Sequence, residues 1–149
     1  MIAAARTPCV ADLASEECRA LLARNHIGRI AYAADERVDI RTLHYAYEDG
    51  WVFGRTNFGS KLHTLARHPR CAFQVEEIRG AFDWDSVVGH GRFELLDPQT
   101  GSVDRYDRAV SLLGLLIPGA LGVNDPAPSR TMLFGIHLSK LTGRSAASH

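Results

Sequence analysis

Arg55, Thr56, Asn57, Ser60 and Lys61 place two cations and three neutral hydrogen-bonding side chains within seven residues, around Gly59. Such a set suits a phosphate, which accepts several charge-assisted hydrogen bonds at once. The surrounding VFGRTNFGSKL reads as a strand, a glycine and then a helix start, so unpaired backbone N–H groups and the positive helix end would add to the cation charge. A solvated turn between a strand and a helix would use the same residues. Neither the Walker pattern nor the dinucleotide glycine pattern is present to separate the two.

Other chemistry-bearing side chains form no familiar constellation. His44, Tyr45 and His90 are candidate proton donors, and each also suits a packed or solvent-facing role. His63 and His68 lie five residues apart on a short helix and do not share a face, so no metal pair is expected. Asp83 and Asp85 flank Trp84 without a catalytic partner. No Ser-His-Asp or Cys-His arrangement follows from spacing.

The elements that must position these residues can be read in order. Ser15 is expected to cap a first helix, with Glu16 and Glu17 in its first turn and Cys18, Leu21 and Leu22 on its apolar stripe. Asn25 or Gly28 ends it. Gly28–Ala34 is a strand, and Asp35-Glu36 a turn. Val38–Tyr47 is expected as the longest strand, with Asp39, Arg41, Leu43, Tyr45 and Tyr47 on one face. Glu48-Asp49-Gly50 signals a hairpin that returns along Trp51–Thr56.

A helix after Gly59 carries Leu62 and Leu65 and stops at Pro69. Cys71–Glu76 is a strand, Ile78–Asp83 a loop, and Trp84–Leu95 a long strand in which Gly89 and Gly91 suggest a bulge. A helical region opens at Asp97-Pro98 and runs to about Leu116. After a Pro/Gly-rich loop, Thr131–Leu138 is the last strand. Residues 1–10 and Ser145–His149 are expected to be flexible. The result is a mainly β fold with helices: a six-stranded antiparallel barrel in one domain spanning residues 1–149.

Composition narrows the function classes. At 149 residues the chain can build a core without disulfides or metals. Seventeen basic and seventeen acidic side chains balance, which argues against nucleic acid as the main partner. Three widely spaced cysteines form no CxxC pair and suit a reducing compartment. No signal segment is evident, and the run Leu112–Val123 is too short and too broken by Pro118 and glycines to span a bilayer. A cytoplasmic protein is expected.

The order of several segments resembles the flavin-binding split barrel of the pyridoxamine 5'-phosphate oxidase-like superfamily. These are ASEECRALLARNHIGRIAY, HYAYEDG, GSKLHTLARHPRCAFQVEE, WDSVVGHGRFELL and LSKLTGR. Within it, the chain is most similar to the nitroimidazole-resistance (Nim-type) branch. The resemblance implies a split barrel and a homodimer that holds FMN at the subunit interface; the expectation of no nucleic-acid or membrane partner rests on the charge balance and near-neutral pI. Position by position, it implies that Arg41 approaches the flavin phosphate, with Thr42 and Leu43 against the flavin. It places Arg55, Thr56 and Asn57 before the phosphate loop and makes Ser60 and Lys61 phosphate ligands. Trp84, Ser86 and Val87 match the strand that flanks the ring or crosses from the partner chain.

Two departures shape the functional expectation. Many Nim-type proteins carry a histidine where this chain has Arg55, and the end LSKLTGRSAASH lacks the arginine-rich motif of the oxidase branch. Oxidation of pyridoxamine phosphate is therefore not expected. The expected function is FMN-dependent oxidoreduction of a small organic or nitro-aromatic acceptor. The alternative is a flavin, deazaflavin or haem binding module that acts as a carrier or redox sensor. Arg41 itself has a plainer reading, as a strand-edge arginine paired with Asp39 or Glu48.

Overall fold

The computed structural model describes residues 7–56, 60–99, 101–119 and 132–148, with only the backbone of residues 60–63. Eight strands and three helices follow in order: β1 (Pro8–Asp12), α1 (Ser15–Arg24), β2 (Ile27–Ala34), β3 (Arg37–His44), β4 (Ala46–Glu48), β5 (Trp51–Thr56), α2 (Ser60–Arg67), β6 (Arg70–Gly80), β7 (Asp83–Leu96), α3 (Val103–Leu116) and β8 (Met132–Ser148). The strand order is β3-β2-β6-β7-β8-β5-β4, and β1 pairs with the far end of β8. Every neighbouring pair is antiparallel.

The two ends of that order, β3 and β4, are separated in the chain by Tyr45 alone. A sheet whose first and last strands are one residue apart has to curl until its ends meet. No ladder joins them, so the barrel is split along that seam.

Tyr45 closes the seam. Its backbone N–H donates to His26 O at 3.0 Å, and its hydroxyl donates to Leu22 O at 2.7 Å. Its ring meets Phe73 edge-on, 4.9 Å between centroids. Breaking the expected strand Val38–Tyr47 here lets β3 pair with β2 while β4 turns through Asp49 and Gly50 to pair with β5. Both turn residues have positive φ, 50° and 85°, as a tight hairpin requires.

The core lies inside the curl. Ile30, Tyr32, Phe73, Val75, Val87, Phe134 and Ile136 fill it, and Cys18, Leu21 and Leu22 of α1 close one side. A second apolar cluster, with Phe53, Leu96, Leu133, Ala109 and Leu113, forms where α3 covers the outer side of β5 and β8.

Several expectations are corrected. Among the described residues eight strands form the sheet, not six, because β1 and the short β4 are not marked by alternating hydrophobicity. The last strand continues beyond Leu138 to Ser148, and its end pairs with β1, from Pro8↔Ser148 to Asp12↔Arg144. Residues 8–10 and 145–148 are therefore laddered strand, not loose ends. The expected loop Ile78–Asp83 shrinks to Ala81-Phe82. Ala14 rather than Ser15 precedes the first helix, with Glu17 Oε1 accepting from Ala14 N–H at 3.2 Å. Asn25 ends that helix, and the third helix starts at Val103, after the Ser102 cap. The expected irregularity near Gly91 is present: the register shifts between His90 and Gly91, and Ser139 of β8 is the extra residue.

Candidate functional site

The β6–β7 ladder sorts side chains onto two faces. Val75 and Val87 pair on the inner face and are fully buried. Glu76↔Ser86 and Ile78↔Trp84 alternate with them, so these four project from the outer face. They line an open depression of about 280 Å³.

A hydrogen-bonded chain borders it. Arg29 of β2 donates from Nη1 to Gln74 Oε1 at 3.4 Å and to Glu76 Oε1 at 3.2 Å. Gln74 Nε2 donates to Glu76 Oε2 at 3.0 Å and to Ser86 Oγ at 3.1 Å. The depression thus combines two apolar walls with a hydroxyl and a carboxylate.

Around β3 the pattern is different. Arg41 pairs with Ile30 and Leu43 with Gly28 on the inner side of the curl, whereas Thr42 lies opposite Arg29 on the outer side. Of the two carboxylates read from the sequence as partners for Arg41, Asp39 sits 3.4 Å from Arg37 with its buried Oδ2 making no hydrogen bond among the described residues, and Glu48 takes Arg108 through two contacts of 2.6 Å. Among the described residues Arg41 has no ion pair. On the same face, Tyr32 is almost wholly buried and its hydroxyl has no hydrogen-bond partner among the described residues. An unmet buried hydroxyl costs about 1–3 kcal/mol.

The remaining expected residues spread out. Arg55 is buried, at 7% exposure, and shares a face of β5 with Trp51 and Phe53, opposite Leu133. Thr56 faces the other way, opposite Met132. Ser60 and Lys61 form the first turn of α2, as their spacing predicts, but their side chains lie outside the described residues, as does Asn57 altogether. Trp84 and Ser86 meet at the depression, while Val87 belongs to the core and cannot touch a surface ligand with its side chain. One chain therefore gathers Arg41 with Leu43 in one place and Trp84 with Ser86 in another. Thr42 and Ser86 share the outer face but lie three strands apart in the order, about 14 Å.

Arg29, Gln74, Glu76 and Ile78 were not singled out by sequence reasoning. The alternation in CAFQVEE shows that Gln74 and Glu76 leave the core, but only the β2–β6–β7 register joins them to Arg29 and Ser86.

Shifted titrations have structural causes. Burial raises the Cys71 thiol to about 11 and also raises the Tyr45 phenol. The Arg24 guanidinium, followed by the Asn25 amide, holds the Glu77 carboxyl at about 2. Among the described residues no cluster of three or more His, Cys, Asp or Glu side chains could hold a metal, and no helix is long and apolar enough to cross a membrane.

Comparison with known proteins gives a consistent picture. A family model described as pyridoxamine 5'-phosphate oxidase matches residues 14–145. An FAD-binding protein from Mesorhizobium loti is 30% identical, with a TM-score of 0.76 over 93% of this chain and 99% of that one. An uncharacterised protein of Rhizobium meliloti is 26% identical over 91% of this chain and 95% of its own length. A 5-nitroimidazole resistance protein from Bacteroides thetaiotaomicron superposes with a TM-score of 0.71 over 97% of this chain and 92% of that one. At 10% identity, that likeness speaks to the fold alone.

Proposed function

The chain belongs to the pyridoxamine 5'-phosphate oxidase family, and from that premise we propose that it binds a flavin nucleotide as a homodimer and transfers electrons to a small organic or nitro-aromatic acceptor. The observation that carries this reading is Arg41, an exposed guanidinium with no ion pair among the described residues, while Arg37 lies beside Asp39 and Arg108 holds Glu48. An arginine in that state suits a phosphate dianion.

The residues present fit a flavin. Arg41 and the α2 N-terminus with Ser60 and Lys61 would hold the phosphate, and Leu43 would cover apolar surface beside it. The unmet Tyr32 hydroxyl marks a place on the same face where a polar ligand group would relieve a cost. Trp84, Ile78 and Ser86 would receive the ring edge from a second copy, since their depression opens on the outer face. Val38 and Ile40, 71% and 68% exposed, supply apolar surface on that face for the second copy to cover. A bound flavin supplies the redox chemistry. The protein's part is to bind it, orient it and shield it from water.

FMN is the unit these residues account for. The second reading, FAD, is favoured by the Mesorhizobium loti relative, which is described as FAD-binding. Placement in the nitroimidazole-resistance branch rests on the sequence motifs, and the arginine at position 55 is the residue to vary in testing it. The three free cysteines suit the cytoplasm, the compartment we propose.

The test is direct. Purified protein is expected to be yellow, to release FMN or FAD on heat denaturation, and to run as a dimer by light scattering. Anaerobic addition of reduced nicotinamide and then a nitroimidazole or quinone should bleach and restore the flavin spectrum. A protein that takes up neither FMN nor FAD contradicts the reading. Bound flavin that never turns over points to the carrier or sensor alternative.

A further inference from the structure

At the far end of the outer face, β6, β7 and β8 set cations directly against one another. Arg70 of β6 lies opposite Arg92 of β7, and Arg92 lies opposite His137 of β8. One row along, His90 lies opposite Lys140. All five residues are exposed. Among the described residues Arg70, Arg92 and Lys140 are in no ion pair. Glu94, the next outward residue of β7, is taken by Arg105 at 3.4 Å. The chain as a whole is balanced, with 17 basic and 17 acidic side chains, so the excess is local.

The β-bulge builds this face. His137 and Lys140 are three residues apart, a spacing that sends side chains to opposite faces of a regular strand. Ser139, the extra residue at the register shift, returns Lys140 to the face that carries His137. The Ser139 hydroxyl donates to His90 O at 3.2 Å and fixes the bulge to β7. Like charges directly opposite in a sheet are destabilising. A local conflict of this kind marks a place where the charge is used.

We propose that Arg70, Arg92 and His137 bind the phosphate end of a small molecule at a site separate from the flavin. The row lies six residues along β7 from Ser86, roughly 20 Å, and on the opposite face of the sheet from Arg41. Directly opposed residues have Cα atoms about 5 Å apart, so the two guanidiniums can close on one group. A phosphate dianion offers two charges and three oxygens, enough for both guanidiniums and an imidazole N–H. A carboxylate offers one charge and two oxygens and would satisfy one guanidinium only. His90 and Lys140, about 7 Å further along, stand where a second phosphate would reach them. A diphosphate therefore uses the face most fully.

The full-length protein is titrated calorimetrically with pyrophosphate and with succinate at one ionic strength. Wild type is expected to prefer pyrophosphate by about tenfold or more. Arg92→Gln keeps the side-chain stem and removes the charge shared by both opposed pairs. It should weaken pyrophosphate binding by about 10–100-fold, and Arg70→Gln should act likewise. The site should persist in Arg41→Ala. Without ligand, Arg92→Gln should melt about 1–3 °C above wild type because the opposition to Arg70 is gone. Saturating pyrophosphate should reverse that order, since only wild type gains from the ligand. Pyrophosphate binding that is absent in wild type or unchanged in Arg92→Gln overturns the proposal. So does succinate bound as tightly, a duplex oligonucleotide bound more tightly than pyrophosphate, or a loss of stability in both arginine variants. The flavin reading stands or falls separately, on the bound-flavin spectrum.

Discussion

The hydroxyl of Tyr45 donates to the carbonyl oxygen of Leu22 across 2.7 Å, with both residues at 0% exposure. This contact ties the seam between β3 and β4 to the helix that closes the core. A tyrosine that sequence alternation assigns to a long strand is thus the residue at which that strand ends.

Tyr45→Phe keeps the ring against Phe73 and removes only the hydroxyl. It should lower stability by about 1–2 kcal/mol, because the contact is buried and the Leu22 carbonyl loses a partner. Urea unfolding measures it, with an unchanged m-value expected.

Acid should weaken the α1–β6 junction. The folded-state carboxyl of Glu77 titrates at about 2, below its ordinary 4.5, because Arg24 and Asn25 bond its ionised form. A depressed carboxylate stabilises the fold above its unfolded pKa, and that stability is lost as pH falls from about 4.5 toward 2. The pair is partly exposed, so the contribution is below about 1 kcal/mol. Glu77→Gln should be less stable than wild type at pH 7, and the gap should close at pH 2 to 3 in thermal melts.

Two glycines should respond oppositely to alanine. A Cβ on Gly91 would run into the backbone carbonyl of His137, at the register shift between β7 and β8. Gly91→Ala is expected to cost more than about 3 kcal/mol or to prevent folding, since backbone must move. Gly114 in α3 has open space around its Cβ position. Gly114→Ala should stabilise by about 0.5–1 kcal/mol through helix propensity. Melting temperatures of the two variants decide it.

Thiol reactivity should single out one cysteine. Cys9 is exposed on β1, whereas Cys18 and Cys71 are buried with their thiols pushed up. Only thiolate reacts readily. At neutral pH a disulfide reagent should modify one thiol quickly, and mass spectrometry should place it at Cys9. All three should react in denaturant.

Arg41→Ala should weaken flavin nucleotide binding by about 10–100-fold, as expected for a lost charge-assisted phosphate contact. Affinity for riboflavin, which has no phosphate, should change little. Fluorescence titration of both ligands checks the difference.

The helices were legible because their signals are local. Each one is announced by a polar or acidic start and an apolar stripe within a dozen residues. The hairpin at Asp49-Gly50 was legible for the same reason, since two residues that tolerate positive φ suffice to turn the chain. That the side chains around Gly59 suit an anion could be read from type and spacing, which a solvated turn between a strand and a helix would share. Arg55 and Thr56 show the limit of that approach: adjacent in sequence, they take opposite faces of β5.

Strand partnership was decided only by the tertiary structure. β1 and the end of β8 lie more than a hundred residues apart in the chain, and nothing in PCVAD marks it as a strand until Ser145–Ser148 is beside it. The break at Tyr45 depends on Leu22 and His26, two residues of a different segment. The Arg29–Gln74–Glu76–Ser86 chain likewise exists only because three strands share one register. Sequence determined which residues could turn, cap or bind an anion, since those properties belong to single residues and their neighbours. Burial in a shared core decided which strands pair and which side chains meet, because a strand satisfies its backbone and its apolar face only against partners that the chain brings from far away.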